Sequence, residues 1–148
     1  MKLINILDEN IIYPRSNFDT KEAVLNGLVE LLNKENYIDS SADFLESVYE
    51  REHEGVTGIG NLLAIPHGKS EHVIKPGIAI TTLNNKVNWE SLDEEGAQIV
   101  FLIAVGVENS KAHLSLLAQI ARKLSDDEIN AQLLKAQNTQ QIIQILTS

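Results

Sequence analysis

Two of the four histidines carry the most distinctive chemical signal in this sequence of 148 residues. His67 directly follows a short apolar run and stands between Pro66 and Gly68. Proline favours extended geometry in the residue before it, and glycine lets an anion or another chain approach closely. Because ligands bind at the carboxyl ends of strands in open α/β sheets, His67 is a candidate nucleophile. Taken alone, this segment fits a loop histidine in a turn shaped by Pro and Gly equally well.

The second candidate is His113, which is predicted to lie in the first turn of a long helix and on its apolar stripe. Free N–H groups and the helix dipole there favour an anion and oppose a protonated imidazole. A lone histidine on an apolar stripe is more often a hydrogen-bonded core residue, so His113 gains weight only together with His67. Two neutral imidazoles at one site suit the transfer of an anionic group. His53 and His72 lie in polar stretches and are predicted to be surface residues.

Two further features are suited to binding an anion. Arg51 has a planar guanidinium that matches phosphate oxygens, although pairing with neighbouring glutamates is the stronger interpretation on its own. The turn Thr57-Gly58-Ile59-Gly60-Asn61 supplies backbone donors and a hydroxyl, as phosphate-binding loops do, but two glycines are weak support. The candidate phosphate-loop residues are Thr57, Gly58, Gly60, Asn61 and Gly68.

Three competing motifs fail on spacing or composition. Gly68-Lys69-Ser70 resembles the end of a P-loop, but Leu63 stands where that motif needs its first glycine. His67 and His72 are not at the i, i+4 spacing of a helical zinc site. No Gly-x-Ser-x-Gly elbow of a hydrolase occurs. The sequence has no cysteine, which removes disulfides, thiolate nucleophiles and thiolate metal ligands.

Composition narrows the class of partner. The 12 Lys and Arg against 21 Asp and Glu give a formal net charge of −9, which argues against binding of nucleic acid or anionic lipid. The longest apolar run, residues 99–107, is too short to span a membrane, and the start turns acidic before a signal-peptide core forms. We therefore expect a cytoplasmic protein without membrane insertion or a nucleic-acid partner. The length and the 43% apolar content predict a single domain over residues 1–148.

The hydrophobic pattern predicts alternating helices and strands. Helices are expected from a cap at Asp19 to about Asn33, from Ser40 or Ser41 to Gly55, from Asn109 or Ser110 to about Leu124, and near residues 126–136 and 139–146. Strands are expected at residues 62–65, 77–83 and 99–105, with a short edge strand at 86–89. This order implies an α/β three-layer sandwich, in which helices cover both faces of a mixed, mostly parallel sheet of about five strands.

The motifs together resemble a known family. Arg51-Glu52, the 57–61 turn, Ala64-Ile65-Pro66-His67-Gly68-Lys69 and His113-Leu114 are similar to the IIA components of the bacterial phosphoenolpyruvate-dependent sugar phosphotransferase system, in the fructose/mannitol class. The resemblance covers nearly the whole chain, and its Thr-Gly-Ile-Gly-Asn and Ile-Pro-His-Gly pair is highly specific.

The resemblance implies a phosphocarrier of the α/β fold described above. In that family a histidine accepts a phosphoryl group from phospho-HPr and passes it to a cysteine of the IIB component, which phosphorylates sugar entering through the membrane component IIC. His67 matches the phosphorylated histidine, His113 the second active-site histidine and Arg51 the active-site arginine. Neither a metal nor an organic cofactor is implied.

Two other functions remain open at this stage. In nitrogen-related IIA relatives, the phosphorylation state of the same histidine controls binding to other proteins. A pseudo-carrier without phosphotransfer is supported only by Leu62, where the family commonly has glycine. We expect Leu62 to alter partner or loop packing rather than to remove phosphoryl acceptance. A transient docking patch is expected around His67, with Leu62, Ile59 and Leu114 as candidates.

Overall fold

A six-stranded mixed sheet forms the centre of the computed structural model, which describes residues 2–108 and 110–148 apart from the side chains of Ser110 and Ala112. The elements in chain order are α1 (Leu3–Ile6), a 3-10 turn (Glu9–Ile11), β1 (Ile12–Ser16), α2 (Lys21–Lys34), α3 (Ser41–Glu54), β2 (Gly58–Gly60), β3 (Leu63–Ala64), β4 (His67–Lys69), β5 (Gly77–Val87), β6 (Ala97–Val105), α4 (Ser110–Leu124), α5 (Asp127–Lys135) and α6 (Thr139–Thr147). The strand order is β1-β5-β6-β3-β2, and β4 also pairs with β6. The pairs β1/β5, β3/β6 and β4/β6 are parallel, whereas β2/β3 and β5/β6 are antiparallel.

The central strand β6 divides the core into two layers. Side chains alternate between the faces of a strand, so successive residues of β6 enter different clusters. Val100 and Leu102 pack with α2 and α3, whereas Phe101 and Ile103 pack with α1, α4, α5 and α6. All four side chains are fully buried. Helices therefore cover both faces of a mixed, mostly parallel sheet, and the predicted three-layer class is confirmed.

The ends of α2 and α3 follow from side-chain caps. The hydroxyl of Thr20 accepts a hydrogen bond of 3.0 Å from the backbone N–H of Ala23, so the predicted cap at Asp19 is wrong by one residue. The second prediction is confirmed, because Ser40 caps α3 and Gly55 is its C-cap. The helix that carries Arg51 is thus positioned by local sequence signals.

The predicted strand at residues 62–65 is shorter in the structure. Only Leu63 and Ala64 form β3, because Leu62 has a φ of +66° and belongs to the preceding turn. The chain leaves the sheet at Ile65 and Pro66 and returns as β4 on the same side of β6. The sequence missed β4, since its residues are polar or glycine.

The predicted edge strand at residues 86–89 is wrong. Lys86 and Val87 continue β5, and Val87 is paired with Ala97 of β6. Asn84 and Asn85 are polar, and in the sequence they suggest that the strand ends before them. In the structure they are exposed and continue β5 beyond the buried part of the sheet. Residues 86 and 87 are therefore the end of β5 and not a separate strand at the edge of the sheet.

Candidate functional site

His67 is positioned at the start of β4, in register with Ile103 of the central strand. The next residue, Gly68, faces α3, and a Cβ atom there would lie 2.7 Å from both Phe44 Cε1 and Ser47 Oγ. Only glycine lets β4 lie this close to α3 without displacing those side chains. The close packing brings the end of α3, with Arg51, beside the His67 ring.

Two contacts define the state of the His67 imidazole. Its Nδ1 lies 3.3 Å from the carbonyl oxygen of Ile65, which can only accept, so Nδ1 carries the hydrogen. Nε2 then has a free lone pair, and it accepts a hydrogen bond of 3.0 Å from Arg51 Nε. The Arg51 guanidinium is held from the other side, because Nη1 donates to the carbonyl of Gly55 at 3.1 Å. His67 is thus a neutral imidazole whose Nε2 lone pair points at a cation.

Electrostatics favour the same neutral state. Burial lowers the pKa of His67 below its usual value, and the positive charge of Arg51 lowers it further, although the Ile65 carbonyl opposes the shift. A neutral imidazole is the nucleophilic form, since protonation removes the lone pair. The His67 environment therefore keeps the nucleophile available at neutral pH.

His113 lies in the first turn of α4, next to His67. Their ring centroids are 4.7 Å apart with an interplanar angle of 54°. His113 Nε2 is buried and has no hydrogen-bond partner among the residues that the structure describes. Burial lowers the pKa of His113 to about 4, and nearby positive charges add to this effect. Of the two candidate caps of α4, Ser110 is already inside the helix and Asn109 lies outside the described residues.

Thr57 is buried and linked to a charged network behind the histidines. Its hydroxyl donates to Glu52 Oε1 at 3.0 Å and accepts from Trp89 Nε1 at 3.0 Å. Glu52 Oε1 also pairs with Lys21 Nζ at 2.6 Å. The Thr57 hydroxyl is therefore occupied within the chain, which favours a structural use of this side chain in the present state.

The glycine turn is fastened to the segment at residues 90–93. The N–H of Gly58 donates to the Glu90 carbonyl at 3.2 Å, and the N–H of Asn61 donates to Asp93 Oδ2 at 3.0 Å. A Cβ atom on Gly58 would lie 2.5 Å from the Glu90 carbonyl oxygen, and Gly60 has a φ of +99°, so both glycines are needed for this shape. A carboxylate thus takes one donor proposed for phosphate, and the phosphate-loop role of the turn stays a prediction.

Sequence reasoning missed Glu52. Glu52 lies within a run of charged residues, 50–54, a pattern typical of a solvated surface, but only 7% of its side chain is exposed. The available signal was its position four residues after Val48, a fully buried member of the α3 stripe. His53, in the same run, is exposed as predicted.

The three residues predicted for a docking patch differ in exposure. Ile59 and Leu114 expose 43% and 65% of their area, and Leu62 is half-buried, so the docking patch stays a prediction. Within the described part of the chain, no three His, Cys, Asp or Glu side chains cluster as a metal site. No helix in that part is long and apolar enough to cross a membrane.

The fold and the site define a class of protein: a three-layer α/β protein in which two adjacent imidazoles and an arginine meet at one end of a sheet. The chain belongs to the family described as "Phosphoenolpyruvate-dependent sugar phosphotransferase system, EIIA 2", whose model matches residues 5–148. This confirms the family resemblance of the motifs. Members of this family are phosphotransfer components.

Similar proteins differ in how much of them the chain covers. It is 34% identical over 146 residues to the fructose-specific EIIABC component of Bacillus subtilis, which aligns 99% of this chain but only 23% of that protein. Its fold matches nitrogen regulatory protein IIA-Ntr from Neisseria meningitidis with a TM-score of 0.90, at 26% identity, over 97% of this chain and 98% of that one. It matches enzyme IIAMTL of Escherichia coli, solved in complex with phosphorylated IIBMTL, with a TM-score of 0.83 at 20% identity, over 95% and 96% of the two chains. The last likeness concerns the fold alone.

Proposed function

We propose that this chain is a cytoplasmic phosphocarrier of a fructose/mannitol-type sugar phosphotransferase system. It accepts a phosphoryl group from phospho-HPr on His67 and passes it to a cysteine of a IIB component, which phosphorylates sugar entering through a membrane IIC component. The observation that carries the proposal is the contact of 3.0 Å between Arg51 Nε and His67 Nε2, with His113 packed against the same ring. These groups supply a nucleophile, a cation and a second imidazole at one point.

The accepting step uses the lone pair on His67 Nε2. As the new P–N bond forms, the P–N bond of the donor phosphohistidine breaks and its electron pair returns to the donor ring. The hydrogen stays on Nδ1 and keeps donating to the Ile65 carbonyl, which stabilises the positive charge that develops on the His67 ring. Arg51 leaves Nε2 as the phosphorus arrives, because the lone pair cannot serve both. The guanidinium then donates to the phosphoryl oxygens.

His113 stabilises the group in transfer without trapping it. Its buried Nε2 has no partner in the described part of the chain, so an N–H there can donate to a phosphoryl oxygen without first losing another bond. Its low pKa keeps the ring neutral, so the phosphoryl group gains a hydrogen bond but no second ion pair. A carrier benefits from this balance, since it must release the group to the next acceptor.

Docking is expected on the apolar surface next to the site. Val56, Ile59 and Leu114 are exposed, and they belong to the loop before β2, to β2 itself and to α4, the helix that carries His113. A carrier must bind its donor and acceptor in turn, which favours a small interface and short-lived complexes. An acceptor of the IIB type is what the family resemblance implies.

A regulatory function is the second candidate. The chain and the Neisseria nitrogen regulatory protein match over nearly their full lengths, whereas the chain spans less than a quarter of the Bacillus fructose component. Both functions use phosphorylation of His67 and differ in what the protein then binds. Rapid transfer from the phosphorylated chain to a fructose-type IIB favours the carrier. Stable phosphorylation in the presence of IIB favours the regulator.

The test of the proposal is phosphorylation by phosphoenolpyruvate, enzyme I and HPr. We expect an acid-labile phosphoryl adduct on the chain that His67→Ala abolishes. His72→Ala is the matched control, because it removes a histidine that contacts aspartates rather than Arg51, and it should be phosphorylated like the wild type. An adduct that persists in His67→Ala would overturn the assignment.

A further inference from the structure

Glu52 is a buried carboxylate that the phosphoryl-transfer scheme above does not use. It follows Arg51 in the last turn of α3, and only 7% of its side chain is exposed. Both of its donors reach the same oxygen: Lys21 Nζ and Thr57 Oγ1 bond to Oε1. Oε2 is buried and has no partner among the described residues. A carboxylate in such a place is costly, so it is expected to have a specific task.

The network around Glu52 is anchored in three parts of the fold. Lys21 begins α2, lies 4.9 Å from the centroid of the Trp89 ring and also pairs with Glu90 Oε2 at 2.8 Å. Burial opposes the charge on Lys21, but its bonds to the two glutamates outweigh this and raise its pKa above the usual value. Trp89 in turn donates to Thr57 Oγ1. The Lys21 cation is therefore fixed, and it fixes the Glu52 carboxylate.

The turn at residues 55–57 connects this network to the nucleophile. Arg51 Nη1 bonds to the Gly55 carbonyl at one end of the turn, and Glu52 Oε1 bonds to the Thr57 hydroxyl at the other. Two adjacent residues of α3 therefore hold the same turn. Arg51 Nε, on the same guanidinium, bonds to His67 Nε2. Thr57 is also held by Trp89 Nε1 and by the Ile65 N–H on its carbonyl, so loss of the Glu52 bond loosens this end of the turn without freeing it. The Gly55 carbonyl can then shift, which weakens the second support of the guanidinium.

We propose that Glu52 is a positioning residue for phosphoryl transfer: by bonding Thr57 it holds the 55–57 turn, which keeps the Arg51 guanidinium on the His67 nucleophile. The inference rests on the proposed phosphocarrier function. Glu52 does not touch the reacting atoms in this structure, and it acts through Arg51. The phosphoryl acceptor and its cation are thereby linked to α2 and to the Trp89 segment, which lie outside the site itself.

The experiment compares four single variants and one double variant in phosphorylation by phospho-HPr. Glu52→Ala removes the acceptor for the Thr57 hydroxyl, and Glu52→Gln restores an oxygen acceptor without the charge. Thr57→Val removes the hydroxyl at similar volume. Glu90→Gln is the matched control, since Glu90 bonds the same Lys21 nitrogen but its side chain does not bond Thr57. Urea unfolding of each variant confirms that it is folded under the assay conditions.

We expect Glu52→Ala and Thr57→Val each to lower kcat about tenfold at nearly constant KM for phospho-HPr, because the guanidinium is misplaced rather than the docking surface. Glu52→Gln should recover most of kcat, and Glu90→Gln should stay within about twofold of the wild type. Adding Glu52→Ala to Thr57→Val should lower kcat little further, because each variant alone already removes the Glu52–Thr57 bond. In NMR spectra, the Arg51 Nε–H signal should lose the chemical shift of a hydrogen-bonded group in Glu52→Ala and also in Thr57→Val.

The inference is overturned if Glu52→Ala and Glu90→Gln have the same kcat, if the loss appears in KM, or if the Arg51 Nε–H signal does not change. Each of these results presupposes that the wild-type chain is phosphorylated. Failure of the wild type to accept the phosphoryl group would instead overturn the proposed function. The two failures are therefore distinguishable in one set of assays.

Discussion

Two histidines on neighbouring segments, His67 and His72, have opposite environments. His67 is partly buried, faces the Arg51 cation and has a lowered pKa. His72 Nδ1 lies 2.8 Å from Asp39 Oδ1, and this hydrogen bond raises its pKa above the usual value. The His67 ring is therefore kept neutral with a lone pair that faces Arg51, and the His72 ring is favoured as a cation in an ion pair. The neighbours, not the residue type, decide which imidazole can be a nucleophile.

The His72 contacts serve the start of α3. The backbone N–H of Asp39 donates to the His72 carbonyl at 3.0 Å, and His72 Nε2 lies 3.5 Å from Asp43 Oδ2. Asp39 and Asp43 flank Ser40, the residue that caps α3. His72 thus ties the segment after β4 to one end of α3, while His67 lies near the other end. The same helix connects a structural histidine and a reactive one.

The largest effect on this comparison is expected from Arg51→Met, which removes the cation that faces His67. We expect the rate of phosphorylation by phospho-HPr to fall about 100-fold, because one preorganised charge on the phosphoryl oxygens is lost. The pKa of His67 should rise, since Arg51 contributes to lowering it, while the pKa of His72 should stay unchanged. Stopped-flow transfer and NMR titration measure the two effects.

Arg122→Met is the matched control for this prediction, because Arg122 is an exposed arginine on α4. It should transfer phosphate like the wild type. An Arg51→Met protein with an unchanged transfer rate and an unchanged His67 titration would show that the guanidinium is not the group that separates the two histidines.

A smaller loss is expected from His113→Ala. This variant keeps the nucleophile and Arg51 but removes the ring 4.7 Å away. Phosphorylation should persist and slow about tenfold, which corresponds to one hydrogen bond to a charged group. Single-turnover phosphorylation by phospho-HPr measures the effect, and His53→Ala, which removes an exposed histidine, is the control. A wild-type rate in His113→Ala would show that His113 does not contribute to phosphoryl transfer and that His67 and Arg51 suffice.

The pH dependence of stability should differ in sign between the two environments. The pKa of His113 is about 4 in the folded state against 6.5, so the unfolded chain binds more protons and folding weakens as pH falls through this interval. His113→Gln should reduce this loss of folding stability at acid pH. The raised pKa of His72 has the opposite effect: its contribution is fully present below 6.5 and is lost as pH rises through the raised value. His72→Asn should therefore cost most stability at acid pH.

The free energy of unfolding in urea, measured at about pH 5 and about pH 8, checks both slopes. Parallel changes in the two variants would mean that the histidines do not differ in charge state as described. Asn and Gln are chosen because both keep a polar side chain of similar size.

The smallest effect is expected from Asp39→Asn. The pKa of His72 should fall towards its ordinary value, because the hydrogen bond that His72 donates to Asp39 is the first cause of its rise. An exposed ion pair contributes little to folding, so the urea midpoint should change little and phosphotransfer should stay within about twofold of the wild type. NMR titration of His72 is the measurement. A marked loss of transfer would show that the two histidines are coupled through α3.

The layers of the fold were predictable because their signals are local. A few consecutive residues are enough to predict β6 from its apolar run and the ends of α3 from its caps. By contrast, β1 contains Pro14 and Arg15, the latter with a φ of +53°, and only its pairing with β5 makes it a strand. Similarly, β4 is a strand because it lies beside β6, which no local pattern reveals.

The candidate site was predictable through its motifs and not through its contacts. Pro66, His67 and Gly68 stand out in sequence, whereas the tautomer of His67 depends on Ile65 and Arg51 being brought to its two nitrogens by different elements. Glu52 was missed for the same reason, since its burial depends on Lys21 of another helix. Leu62 with its φ of +66° occupies a conformation that suits glycine, and the turn tolerates it.

The most direct test of the central claim is to locate the phosphoryl group by NMR in the chain labelled with ¹⁵N-histidine and phosphorylated through phospho-HPr. Nδ1 of His67 carries the hydrogen that it donates to the Ile65 carbonyl, whereas Nε2 has the lone pair that faces Arg51. We therefore predict phosphorus on Nε2 of His67 and unmodified spectra for His53, His72 and His113. Phosphorus on Nδ1 of His67, or on any other histidine, would contradict the account.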